Sequence, residues 1–123
     1  FFLSAAECDA RYLNIELNPN LCLYFGFGTG RVDRMRLLLP GGGKTLNACC
    51  ERTATGWDVA YELPFKLLQL FFPDFSPSGK IRGNFYKCGD LTAQEHYLAW
   101  NRVDAGHPDF HLPAYFGELC FSD

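Results

Sequence analysis

"YLNIELN" at residues 12–18 and "LCLYFGF" at 21–27, joined through "NPN" at 18–20, alternate between apolar and polar positions. Leu13, Ile15 and Leu17 fall on one side of the first segment, and Tyr12, Asn14, Glu16 and Asn18 on the other. Successive side chains of a strand point to opposite faces, so this period of two predicts a half-buried strand. Leu21, Leu23, Phe25 and Phe27 repeat the pattern, and the Asn-Pro-Asn turn chemistry between the two segments predicts a hairpin.

The same period recurs along the chain. "WDVAYELPF" sets Trp57, Val59, Tyr61, Leu63 and Phe65 on one face, which assigns Trp57 to the core. "KIRGNFYKC" alternates Ile81, Gly83 and Phe85 against Arg82, Asn84 and Tyr86, and "HYLAWN" and "GELCF" supply two more short strands. One stretch departs from the pattern. In "PFKLLQLF", residues 64–71, Pro64 suits a first helical position and Leu67, Leu68 and Phe71 share a helical face, which predicts a single short helix. "LLPGGGKT" at 38–45 and "PDFSPSG" at 73–79 read as turn-rich connections. Many short strands with turns between them predict an all-β fold, an antiparallel β-sandwich of jelly-roll or immunoglobulin-like type, as one domain over residues 1–123. The apolar opening "FFLSAAE" reads as entry into mid-strand, so upstream strands of the domain are expected to be lacking.

Composition narrows the function. Aromatic residues make up 16% of the 123 residues, enough ring for a packed core or for stacking sites. The net charge of −3 comes with singly scattered Lys and Arg, so there is no basic stripe for phosphates, and neither nucleic acid nor an acidic membrane surface is an expected partner. Apolar runs such as "LLQLFF" are bracketed by Pro64 and Pro73 and fall far short of the roughly 20 residues of a spanning helix. The six cysteines, Cys8, Cys22, Cys49, Cys50, Cys88 and Cys120, are even in number but never spaced C-x-x-C. Pairing stays open, and an aromatic-rich core favours buried free thiols.

Several motifs fail on inspection. "GGGKT" has Leu38 where a phosphate-binding loop needs its first glycine, and "GFGTG" at 26–30 lacks the spacing of a dinucleotide fingerprint. His107 and His111 have the H-x-x-x-H spacing of zinc ligands, but Pro108 and Pro113 argue against the helix that makes such a pair converge. None of the four serines lies in G-x-S-x-G, and no pair of carboxylates can be placed at a glycosidase separation.

What remains is a polar face. Arg82, Asn84 and Tyr86 would project together from one strand, with Trp100 and Asn101 on a nearby one. Sugars need this combination, because their C–H faces stack on rings while their hydroxyls bond to planar polar groups. A solvated outer face with Trp100 in the core is the plainer alternative.

"GWDVAYELPF", "IRGNFYKCGD" and "HYLAWNRVDAGHPDFHLPAYFGELCF" resemble the family 9 carbohydrate-binding modules and family-9-like sugar-binding proteins of bacteria, and "RYLNIELNPN" resembles an earlier strand of that family. The resemblance implies a β-sandwich that holds plant-type polysaccharide, such as xylan or cellulose fragments, without catalysis. It implies Trp100 as the stacking ring, Arg82 and Asn84 as hydrogen-bonding groups, Asn101, Tyr86, His111 and Glu16 as further ligand contacts, and no cofactor beyond a structural calcium. It also implies tethering to a catalytic domain and a place outside the cell or in its envelope. "HPDFHLPAYFG" at 107–117 becomes a stiff corner whose Phe110, Tyr115 and Phe116 plug the end of the sandwich, with His111 satisfying buried backbone groups. The rival readings are a glycoside hydrolase or esterase fragment using Glu62 or His111, and a structural spacer domain of a larger glycan-degrading protein.

Overall fold

A computed structural model describes residues 1–6 and 9–122. The strand pair singled out above is its centre. β2 (Tyr12–Leu17) and β3 (Leu23–Gly28) run antiparallel with Leu17 opposite Leu23 and Tyr12 opposite Gly28, so every apolar position of one meets one of the other. The turn is fixed by Asn18, whose Oδ1 accepts the backbone N–H groups of Asn20 and Cys22 at 3.0 Å each. Leu21 takes a φ of 60° in that turn, so the second strand begins at Leu23 rather than at Leu21.

The hairpin belongs to a six-stranded antiparallel sheet that also contains β1 (Phe2–Ser4), β4 (Arg34–Leu37), β7 (Lys80–Asn84) and β10 (Gly117–Cys120). Its order is β10-β7-β1-β2-β3-β4, which puts the three-residue β1 in the interior, between β2 and β7. β5 (Cys49–Arg52) pairs with β6 (Trp57–Ala60), and β8 (Tyr86–Cys88) pairs with β9 (Tyr97–Ala99). The regular structure of the described residues is thus mostly β with one α-helix, as the periodicity predicts.

One face of the sheet carries the main core. Leu3, Leu13, Ile15, Phe25, Phe27 and Ile81 pack against the buried side of α1 (Phe65–Phe71) and the residues that follow it. α1 begins directly after Pro64, and it buries Leu68 and Phe71 while Leu70 faces out. Seven residues are too few for a helix to persist on propensity, so packing holds it: the Phe71 ring lies 4.9 Å from that of Phe27, and Phe72 meets Phe27 edge-on at 5.7 Å.

The other face differs from expectation. Tyr12 and Asn14 sit on the supposedly solvated side of β2, yet both are fully buried. The segment after β9 roofs them. Phe116 packs edge-on against Tyr12 at 5.5 Å, and together with Phe2 these rings form a second core that Tyr86 and Phe110 extend. Phe110 and Phe116 thus cover a face of the sheet rather than its end, and Tyr115 is not part of this cluster.

Other departures have local causes. β6 stops at Ala60, well before Phe65, because the Glu62 N–H turns away to the Leu46 carbonyl at 2.8 Å. Strands β4 and β5 carry no clear alternation, since Arg34 to Leu37 reads R-M-R-L and β5 reads C-C-E-R. The described cysteines are free, but Cys22, Cys49, Cys88 and Cys120 are exposed and Cys50 is half-buried, so the expectation of buried thiols fails; Cys8 lies outside the described residues.

Candidate functional site

β8 and β9 form a short ribbon with Tyr86 opposite Ala99 and Cys88 opposite Tyr97. Tyr86 anchors it: its ring stacks on Phe110 at 4.3 Å and 13°, and meets Phe2 edge-on at 5.1 Å. Tyr97 packs against the same Phe110 at 6.2 Å, and its hydroxyl donates to a Glu95 carboxylate oxygen at 2.8 Å. Holding that proton for the carboxylate pushes the Tyr97 phenol up to about 12.

Between this ribbon, the turn end of the β2–β3 hairpin and the start of β6 lies a groove of about 850 Å³. Trp57, Tyr24, Tyr97 and Phe110 give it rings, and Glu16, Arg31, Lys87 and His111 give it polar groups. Lys87 spans two sides of the corner: its Nζ lies 5.6 Å from the centre of the Trp57 ring and 3.2 Å from His96 Nε2. Glu16 is set by Asn14, whose buried Nδ2 donates to Oε1 at 2.6 Å.

His111 has the most determined surroundings. Its backbone N–H donates to Asp109 Oδ1 at 2.9 Å, and the same oxygen accepts from the Arg31 guanidinium at 3.0 Å. Its Nδ1 faces the Tyr12 hydroxyl at 2.8 Å and an Arg34 guanidinium nitrogen at 3.2 Å. Arg34 also donates to the Tyr12 hydroxyl at 3.0 Å and lies over the Tyr12 ring at 4.6 Å. Burial, reinforced by the positive charges of Arg34 and Arg31, brings the imidazole down to about 4, with only Asp109 opposing. The ring bonds to side chains rather than to the backbone groups expected of it.

The seven residues singled out in the sequence divide into two sets of three, with Trp100 apart from both. Glu16, Tyr86 and His111 line the groove together. Arg82, Asn84 and Asn101 are occupied elsewhere. The Arg82 guanidinium donates to the carbonyl of Phe116 at 3.0 Å and, at 3.4 Å each, to those of Pro113 and Ala114. Asn84 is fully buried and grips the Asn101 backbone, while Asn101 Nδ2 donates to the Tyr115 carbonyl at 2.8 Å. All three brace the segment that roofs the sheet.

Trp100 is 55% exposed, so it is not the core residue of the plainer reading. It lies outside the groove lining and borders a shallow depression of about 300 Å³ with Phe85 and Leu98. Its indole covers Gly117, where a Cβ would come within 2.8 Å of the ring. Trp57 is the reverse case: the alternation assigns it to the core, and it faces the groove instead. The signal for it was its place as the first residue of a strand behind the turn "TATG", where a strand overhangs its core.

Among the described residues, no three His, Cys, Asp or Glu side chains converge as metal ligands. No described helix is long and apolar enough to cross a membrane.

The chain matches no curated protein. Its structure is similar to the crystal structure of a candidate carbohydrate-binding protein of Bacteroides uniformis ATCC 8492, with a TM-score of 0.74 and 26% sequence identity over 98% of this chain. The match covers 59% of that protein's chain, so the present chain spans about three fifths of its length. The sequence matches the profile of carbohydrate-binding family 9 over residues 1–121, nearly its whole extent, and the chain belongs to that family.

Proposed function

We propose that the groove beside Trp57 holds a plant-type polysaccharide chain, a xylan or cellulose segment, and does so without making or breaking a bond. The observation that carries this reading is the lining, in which half-buried rings and polar side chains border one open groove of about 850 Å³. Sugar rings offer apolar C–H faces that stack on indole and phenol rings, and hydroxyls that pair with Glu16, Arg31 and Lys87. Trp57 and Tyr97 are the stacking rings, with Glu16 and His111 as polar contacts and the Tyr86 ring as part of the wall, its hydroxyl sealed from the groove. Membership of a carbohydrate-binding family supports the ligand class.

Each such stacking contact contributes only about 0.5–1.5 kcal/mol beyond burial, so affinity comes from several weak contacts. Joined to a glycan-degrading enzyme outside the cell or in its envelope, a module of this kind would hold that enzyme against its polymer. Calorimetric titration with xylohexaose and cellohexaose tests the proposal. Binding that Trp57→Ala removes while the fold persists is the expected result, and no binding across a broad glycan array would overturn it.

A further inference from the structure

The hydrogen bonds around His111 fix which of its nitrogens carries the proton. Guanidinium groups only donate, and one Arg34 Nη, with two hydrogens, gives one to the Gly30 carbonyl at 2.6 Å and shares the other between the Tyr12 oxygen at 3.0 Å and Nδ1 at 3.2 Å. The Tyr12 hydroxyl, having accepted from Arg34, turns its own hydrogen to Nδ1 at 2.8 Å. A hydrogen on Nδ1 would point at that guanidinium N–H, so Nδ1 presents a lone pair, which the Tyr12 hydroxyl fills. A neutral imidazole then carries its hydrogen on Nε2. That atom bonds to no described residue, it is not among the sealed polar atoms of the interior, and the ring lines the groove.

We infer that His111 presents Nε2–H to the groove as a fixed hydrogen-bond donor, so that a bound sugar must meet it with an acceptor oxygen. The inference rests on the groove being the sugar site and adds the polarity demanded of the ligand there. Arg31, on the same lining, is also a pure donor, so this corner accepts a hydroxyl, ring or carboxylate oxygen and disfavours the ammonium of an amino sugar. Tyr12 on β2 and Arg34 on β4 act as positioning residues. The charged and titratable groups facing the imidazole are Arg34, Arg31, Asp109 and Tyr12, and burial, reinforced by the two cations, keeps it neutral through mildly acidic pH.

Long-range proton–nitrogen correlation spectra of the protein with labelled histidine read the tautomer directly. The expected result is an unprotonated Nδ1 and a protonated Nε2 from pH 8 to 5, with the Nε2–H resonance moving on titration with xylohexaose or cellohexaose. His111→Phe keeps a ring against Phe2 but loses the donor, and lowers affinity about tenfold, with His111→Gln recovering part of the loss. An Nδ1–H tautomer overturns the inference. So does sugar binding that Trp57→Ala abolishes while His111 stays unperturbed, and that outcome leaves the groove as the sugar site. Failure of both sugars to bind, with the tautomer as assigned, removes the groove reading and the contact with it.

Discussion

Asn84 closes two hydrogen bonds on Asn101: its Nδ2 donates to the Asn101 carbonyl at 2.7 Å, and its Oδ1 accepts the Asn101 backbone N–H at 2.8 Å. A side-chain amide here does what a neighbouring strand would do, on the residue that follows Trp100. Asn84→Ala leaves a donor and an acceptor unpaired next to the core, at a cost of about 2 to 4 kcal/mol. Urea denaturation should show that loss as a lower midpoint, with the roof over Tyr12 loosened first in hydrogen exchange.

The two tryptophans should separate in binding. Trp57 borders the groove and Trp100 the depression with Phe85 and Leu98, so Trp57→Ala should cut oligosaccharide affinity by about tenfold or more. Trp100→Ala should leave it within about threefold. Titration calorimetry on both variants checks this, and the opposite ranking would move the site to the Trp100 side.

Gly28 is a contact that no larger residue can replace. A Cβ there would overlap the Asp33 carbonyl oxygen and come within 2.6 Å of the Arg34 Cα, both on the chain entering β4. Backbone does not give way as a side-chain tip does, so Gly28→Ala should destabilise by about 1 to 3 kcal/mol. It should also disturb the Arg34 bonds to Tyr12 and His111, visible as shifts in the His111 ring resonances.

Acid should weaken the fold before the carboxylates titrate. His111 falls from an ordinary 6.5 to about 4 in the native state, so between those values the unfolded chain binds more protons there than the folded one does. Stability is complete above pH 6.5 and declines as pH falls towards 4. Burial raises Asp109, but its bonds from the His111 N–H and Arg31 outweigh that and hold it below 3.8, so its own contribution is lost only at lower pH. The urea midpoint should drop between pH 6.5 and 4.5 in the native protein, and less so in His111→Phe.

The sequence revealed strands more readily than their surroundings. Alternation in β2, β3 and β7 reports that two faces differ, which is enough to place Leu13, Ile15 and Phe25 in one core. It does not report which face is wet, so Tyr12 and Asn14 read as outward although the distant segment around Phe116 covers them. The site was legible in part for the same reason. The alternation of its strand marks Tyr86 and the family resemblance marks Glu16 and His111, and the three line one groove. Trp57 was missed because its neighbours Tyr61 and Leu63 do enter the core, while β6 extends past it. Arg82 and Asn84 carry groups suited to a ligand, but those groups bond to backbone that the sequence places some thirty and seventeen residues away.

β1 supplies only Phe2, Leu3 and Ser4, yet it separates β2 from β7 in the sheet. β2, β3 and β4 are consecutive and can zip together locally, whereas β7 and β10 lie far along the chain. The strand order predicts a splice: β1 joins the local meander to β7 in a long-range closure, and folding is expected to be slow for that reason. Until that closure, β2 and β7 each show a bare edge, and the chain is most open to pairing with another copy of itself.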